Sequence, residues 1–166
     1  MLHWSQSSPI GVLHVEASAA GVLHAVELDG ECPEDGAPKP SVAAALDAYF
    51  AGDVDAIDHL AVGPVGSTPF RREVLTVLRQ VPAGEVTSYG ELARRVGRPR
   101  AARAVGQAVG ANPIAVVVPC HRVIAGDGTL GGYGGGLDRK RWLLRHEGVA
   151  ELAGGWVASG RARLHV

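Results

Sequence analysis

The chain has 166 residues, 46% of them apolar, enough for one compact unit or two small ones sharing an interface. No apolar run reaches the roughly 18 residues of a membrane helix, and Met1-Leu2-His3-Trp4-Ser5-Gln6 is not the start of a secretion signal. The net charge of −1 hides a division. Residues 1–69 carry ten acidic side chains against Lys39 alone, a balance of −9, whereas residues 70–166 carry fifteen basic and seven acidic ones, a balance of +8. A segregation of this size points to a polyanion meeting the second half.

The N-terminal third reads as strands. Ile10–Val15 and Gly21–Val26 are short β-prone runs between turn residues, and they share Gly-Val-Leu-His. The repeat predicts two paired strands of one sheet, with His14 and His24 as ordinary sheet residues. Residues 30–40 form a loop rich in proline. Ser41 to Phe50 predicts a helix with Val42, Leu46 and Tyr49 on one face. Gly52, Gly63, Pro64 and Gly66 follow, and the charge changes sign just after them, which sets a boundary at 66/67.

Thr68-Pro69 is an N-cap and first-turn pair, opening a helix expected to turn Phe70, Val74, Val77 and Val81 inward. Ser88-Tyr89-Gly90-Glu91 has capping-box spacing for a short helix that Gly97 stops. Arg98-Pro99 turns the chain into a second helix over about Arg100 to Val109. Two short helices joined by a tight turn match a helix-turn-helix. The small side chains of Ala101, Ala102 and Ala104 suit sequence-independent minor-groove binding better than reading an operator.

Asn112-Pro113 ends that helix, and Val116-Val117-Val118 leads through Pro119 into Cys120, His121 and Arg122. A thiol attacks as thiolate, and an adjacent imidazole or cation favours that form. The alternative for Cys120 is a small apolar residue at a strand end. Cys32 lies far away in a different context, so neither a disulfide framework nor a resolving partner is expected. Cys120-His121 has no second ligand pair at short spacing, so no metal is expected. Seven glycines between 126 and 136, interrupted by Tyr133, allow backbone to approach a ligand. Asp138 is then placed as the cap of a last helix that ends at Glu147-Gly148.

Tyr89, Arg100–Gly106, Asn112-Pro113, Pro119–Val123, Gly132–Gly135, Lys140 and Leu143–Gly148, in this order and spacing, resemble the O6-alkylguanine-DNA alkyltransferases. The resemblance is dense from about Thr68 to Gly148, and residues 1–66 agree only in layout. It implies an α/β fold: a small N-terminal ribonuclease-H-like sheet domain and, over 67–166, a C-terminal winged-helix-like domain with the helix-turn-helix. It further implies direct-reversal repair, in which Cys120 irreversibly takes the alkyl group from O6-alkylguanine, and from O4-alkylthymine, in a single turnover. No cofactor is implied. The implied partner is alkylated double-stranded DNA, met by a cytoplasmic monomer with no membrane contact; cooperativity along DNA is left open.

The same resemblance assigns roles. His121, through a water, takes the Cys120 proton; Glu147 orients the imidazole; Asn112 holds the tight turn. Tyr89 supports nucleotide rotation and gives the departing guanine a proton. Arg103 fills the stack behind the flipped base. Ser88, Arg100, Ala101 and Ala102 complete the DNA-binding set, and Tyr133, Gly134, Gly135, Val123 and Lys140 the substrate pocket. Two positions depart from the family: Gly134 stands where members often carry serine, and Gly110 where some carry a basic residue. Three rivals remain: a lesion-flagging relative, which would lack the cysteine, a transcription regulator, and a cysteine hydrolase, for which no oxyanion hole is recognisable.

Overall fold

A computed structural model describes residues 1–31, 36–152, 155–158 and 164–165. Cys32 and most of the tail lie outside them. The chain divides into two compact units, one of residues 1–65 with 113–117, the other of 66–112 with 118–166. The segment 113–117 is therefore taken by the first unit, although a single cut at 66/67 assigns it to the second.

In the first unit β1 (Leu2–Ser8), β2 (Gly11–Ala17) and β3 (Leu23–Leu28) form an antiparallel sheet in that order. Trp4, Val15 and Val26 stand in one register row and are buried. Alternation then puts Leu13 and Ala17 on the same face. Helix α1 (Pro40–Phe50) supplies Val42, Ala45, Leu46 and Tyr49 to the core. Gln6 ties sheet to helix, donating to Ala43 O at 2.9 Å and Asp47 Oδ1 at 2.7 Å. The first Gly-Val-Leu-His lies in β2, and of the second only Leu23 and His24 lie in the paired β3, with Leu23 opposite Ala17; His14 Nδ1 meets Ser5 Oγ at 3.0 Å. Strand β1 escaped the sequence reading because its outward positions are Ser and His. The free edge of β3 is covered by two passing segments: Val62 bridges Leu23, and Ile114 bridges Val26. That pairing draws 113–117 into this unit, because an uncovered edge exposes unpaired backbone groups.

In the second unit α2 (Pro69–Leu78) starts as expected, with Thr68 Oγ1 accepting from Arg71 N at 3.2 Å. Val74 and, just past the helix, Val81 are buried as expected, but Leu75 and Leu78 take the inward places expected of Phe70 and Val77. Phe70 is half-buried instead, under the Arg98 guanidinium, 5.3 Å from its ring centre. Strand β4 (Val86–Ser88) leads into α3 (Tyr89–Arg95), capped by Ser88 Oγ on Glu91 N at 3.1 Å. Only half the capping box forms, since Glu91 turns to Arg94 at 2.9 Å. Gly97, at φ +73°, closes α3 in a Schellman turn, with Arg98 N on Ala93 O and Gly97 N on Arg94 O. Helix α4 (Ala102–Gly110) follows and buries Val105, Ala108 and Val109. A 3-10 turn (Cys120–Arg122) runs into β5 (Val123–Ile124), parallel to β4, whose other side carries β8 (Leu164–His165). Helix α5 (Leu137–His146) and the hairpin of β6 (Val149–Leu152) and β7 (Gly155–Ala158) close the unit over Val86, Ile124, Leu130, Leu144, Val149 and Trp156.

One expectation, and one alternative, the strand end weighed for Cys120, are corrected here. Asp138 does not cap α5: Gly136 occupies that position at φ +94°, and Asp138 is an exposed first-turn residue, favourable to the helix dipole. The valine run is not a strand. Val116 has φ +70°, with Val117 N on Ala115 O at 2.8 Å, so its backbone makes a γ-turn. Pro119 makes an inverse γ-turn at φ −84° and ψ 65°, with Cys120 N on Val118 O at 2.8 Å. A β-branched residue at positive φ is strained, and such strain is found where chain geometry serves a site. No described helix is long and apolar enough to cross a membrane.

Candidate active site

The double turn delivers Cys120 as the first residue of the 3-10 helix, half-buried, with His121 and Arg122 fully interior. Asn112 pins this arrangement by donating from Nδ2 to Val118 O at 2.8 Å, the same carbonyl that accepts from Cys120 N. His121 Nε2 lies 2.8 Å from Glu147 Oε1, at the C-cap of α5, and both side chains are inaccessible to solvent. With Glu147 ionised, the imidazole donates from Nε2, which leaves Nδ1 as the acceptor. His121 Nδ1 is buried and has no hydrogen-bond partner.

The charges follow from burial. Desolvation raises the Cys120 thiol, and Asn112 and the Lys140 cation offset this only in part. Cys120 therefore rests as a thiol and needs a base. Burial lowers His121, reinforced by Arg122 and Lys140 and opposed by Glu147, so the imidazole is neutral at rest. Burial alone would raise Glu147, but His121 and Arg122 hold its carboxyl far below the usual range. A resting thiol, a neutral imidazole with one open nitrogen and a fixed carboxylate are the parts of a nucleophile–base–orienter set.

Residues 69–149 match the family described as 6-O-methylguanine DNA methyltransferase, DNA binding domain. The methylated-DNA–protein-cysteine methyltransferase of Salmonella typhimurium is 62% identical over 104 residues, covering 63% of this chain. The match spans only 60% of the Salmonella protein's length. The Mycobacterium leprae methylated-DNA–protein-cysteine methyltransferase is 45% identical over 158 residues, covering 89% of this chain and 93% of that protein. The chain belongs to this methyltransferase family. The crystal structure of Mycobacterium tuberculosis O6-methylguanine methyltransferase agrees with this family member at a TM-score of 0.75 and 40% identity, over 88% of this chain and 92% of that one. The Mycobacterium tuberculosis OGT in complex with DNA agrees at a TM-score of 0.78 and 39% identity, over 89% and 92%. The mixed α/β fold is thus that of known members.

The other candidate residues of this methyltransferase-family chain fall into three groups. Tyr89 joins the site: its hydroxyl is raised by burial and by the nearby Cys120, against a backbone hydrogen bond with Gly132. A side chain at Gly131 would come within 3.3 Å of that hydroxyl, and one at Gly106 within 3.7 Å of the ring. Gly131, at φ +68°, lets the backbone lie against Tyr89, whereas at Gly106 a side chain would make only an ordinary contact. Tyr133 is half-buried; its hydroxyl has no partner and is raised by burial and by Cys120. Gly134 is exposed with open space around it, and Gly135 is half-exposed. Arg100 and Arg103 are exposed at the start of α4, beside half-buried Ala101 and Ala102.

Three side chains do other work. The Ser88 hydroxyl is committed to capping α3, and the residue is buried. Val123 is a core residue of β5. Lys140 is wholly buried, and its ammonium donates to Val123 O at 2.6 Å, Leu130 O at 2.5 Å and Gly132 O at 3.0 Å. All three donors are occupied, so Lys140 fastens the glycine-rich segment from beneath. Burial brings it down to about 8, against the pull of Cys120. Lys140→Met strands three carbonyls. A cost of about 3 kcal/mol or more, a fall in Tm of about 6–12 °C, is expected in thermal melts; an unchanged Tm would refute the fastening role.

Arg122 is the site residue to which the sequence assigns no role. Its guanidinium turns to Glu147 and Val81 O. An arginine inside a valine-rich interior run was the available signal, since a buried guanidinium requires several acceptors. Among the described residues, no group of three or more His, Cys, Asp or Glu could hold a metal ion.

Proposed function

We propose that this chain repairs O6-alkylguanine, and O4-alkylthymine, in duplex DNA by moving the alkyl group to Cys120. The carrying observation is the half-buried thiol beside a buried His121–Glu147 pair whose Nδ1 is open. Proton transfer from Sγ to His121, through a water, gives the thiolate. The sulfur then attacks the alkyl carbon in line, an S–C bond forms and the C–O6 bond breaks. Tyr89 supplies a proton to the departing base, which leaves as unmodified guanine. The target nucleotide must leave the stack to reach the thiol. Exposed Arg103, flanked by small Ala102 and Ala104, is our candidate for filling the gap, with Arg100 on phosphate. Tyr133, Gly134 and Gly135 form the pocket's wall and rim.

We further infer that α2, α3 and α4 with the small sheets act as a winged helix-turn-helix, and that the N-terminal unit is a ribonuclease-H-like sheet. The functional boundary is placed at 66/67. The protein works as a monomer in the cytoplasm, on the nucleoid when bound to DNA.

The deciding experiment is intact mass after mixing with duplex containing O6-methylguanine. One methyl on the peptide holding Cys120 supports transfer. Binding with unchanged mass would leave the lesion-flagging reading and overturn this one. Arg103→Ala is expected to slow repair of duplex DNA about tenfold or more while sparing reaction with the free alkylated base. Equal losses on both substrates would argue against a role in the stack.

A further inference from the structure

The Glu147 carboxylate faces two basic groups but carries one negative charge. Its Oε1 accepts from His121 Nε2 at 2.8 Å and from Arg122 Nη2 at 2.7 Å, and its Oε2 from Arg122 Nε at 2.9 Å. Arg122 Nη1 donates to Val81 O at 2.7 Å, and the residue is 3% exposed. The charged groups acting on His121 are Glu147 and Lys140, from the C-cap of α5 and from α5 itself, and Arg122 from its own turn, in which Cys120 is its chain neighbour. Tyr133 faces Cys120, Arg139 and Glu147, and Tyr89 faces Cys120. A guanidinium does not lose its proton in a protein, and its fork fits a carboxylate in two places. The single buried negative charge is thus already matched. A proton on His121 would add an uncompensated cation beside Arg122 and Lys140.

We propose that Arg122 is a positioning residue of the alkyl transfer: by forking onto Glu147 it supplies the carboxylate's counter-charge and keeps the His121 imidazole neutral until the thiol gives up its proton. The proposal rests on the reading of His121 as the base. It separates two duties that a bare His–Glu pair would have to combine. Without Arg122 the buried carboxylate would draw a proton onto His121 at rest, and Nδ1 would no longer accept. With it, the proton leaving Sγ goes to Nδ1, and the thiolate and imidazolium form together with no net change in the site's charge.

The test uses the full chain with 15N-labelled histidine, as wild type, Arg122→Met and Arg122→Lys. His121 protonation is read by long-range NMR across pH 5 to 9, and single-turnover transfer from O6-methylguanine duplex across the same range. Wild-type His121 is expected to be neutral at pH 7, protonated on Nε2 only. In Arg122→Met it should be imidazolium at pH 7, with transfer slowed roughly tenfold or more, up to the 10²–10⁴ that a general base contributes in full. That rate should climb with pH. Arg122→Lys keeps the charge without the fork, and should hold His121 neutral and recover most of the rate. An imidazolium in the wild type at pH 7 overturns the proposal, and this measurement stands even if Arg122→Met does not fold. A folded Arg122→Met with neutral His121 and a pH-independent loss of rate also overturns it, leaving a structural role. Wild-type transfer by His121→Ala would instead remove the relay, whatever the NMR reads.

Discussion

Cys120→Ala is expected to abolish alkyl transfer while leaving the protein folded and bound to duplex DNA. The substitution removes only a sulfur from a half-buried position, and the turn that presents it is held by backbone and Asn112. The phosphate-binding term comes from the basic half of the chain, so affinity should keep its steep salt dependence. In the wild type, transfer should stop at one alkyl group per protein. A thioether on Cys120 is chemically inert toward His121 and Glu147, and the sequence places no second cysteine near it. Titration with excess O6-methylguanine duplex checks this: turnover beyond one equivalent, or transfer by the alanine variant, would refute Cys120 as the acceptor.

Glu147→Gln strikes both chemistry and stability. A neutral amide leaves the Arg122 guanidinium buried without its carboxylate. Breaking one side of a buried pair costs about 3–5 kcal/mol. Transfer should fall by roughly 10²–10⁴, the range supplied by an oriented base. Because His121 and Glu147 act as a unit, adding His121→Ala should cost little more. Full additivity of the two losses would count against the assignment. Acid should expose the same pair in the wild type. Glu147 is held low when folded, so its contribution is present above its unfolded value of about 4.3 and is lost as pH falls below it. His121, buried neutral, works in the same direction, since the unfolded state gains its proton below about 6.5. Melting temperature should therefore decline in two stages on acidification. In Glu147→Gln the lower stage should shrink.

The expected single boundary and the observed units differ at 113–117, and the reason is instructive. Charge and composition change once along the chain, at residue 66, and a sequence can show only that change. Which segment covers the open edge of β3 depends on where Ile114 lies in space.

The sequence by itself determined the reactive neighbours and the helix ends. Cys120 and His121 are adjacent, Thr68, Ser88 and Gly97 mark their helices by local backbone chemistry, and the motif order from Tyr89 to Gly148 carries the family likeness. These rest on interactions within a few residues, so they are written in local order. The tertiary structure decided what those residues face. It bent the valine run into two γ-turns, sent Arg122 to Glu147 twenty-five residues on, and fastened Lys140 under the glycine-rich segment in place of the pocket. It also left Nδ1 as the open nitrogen of His121. Buried charges have no local signature, because each is fixed by the partner that offsets its loss of water, and that partner comes from a distant part of the chain.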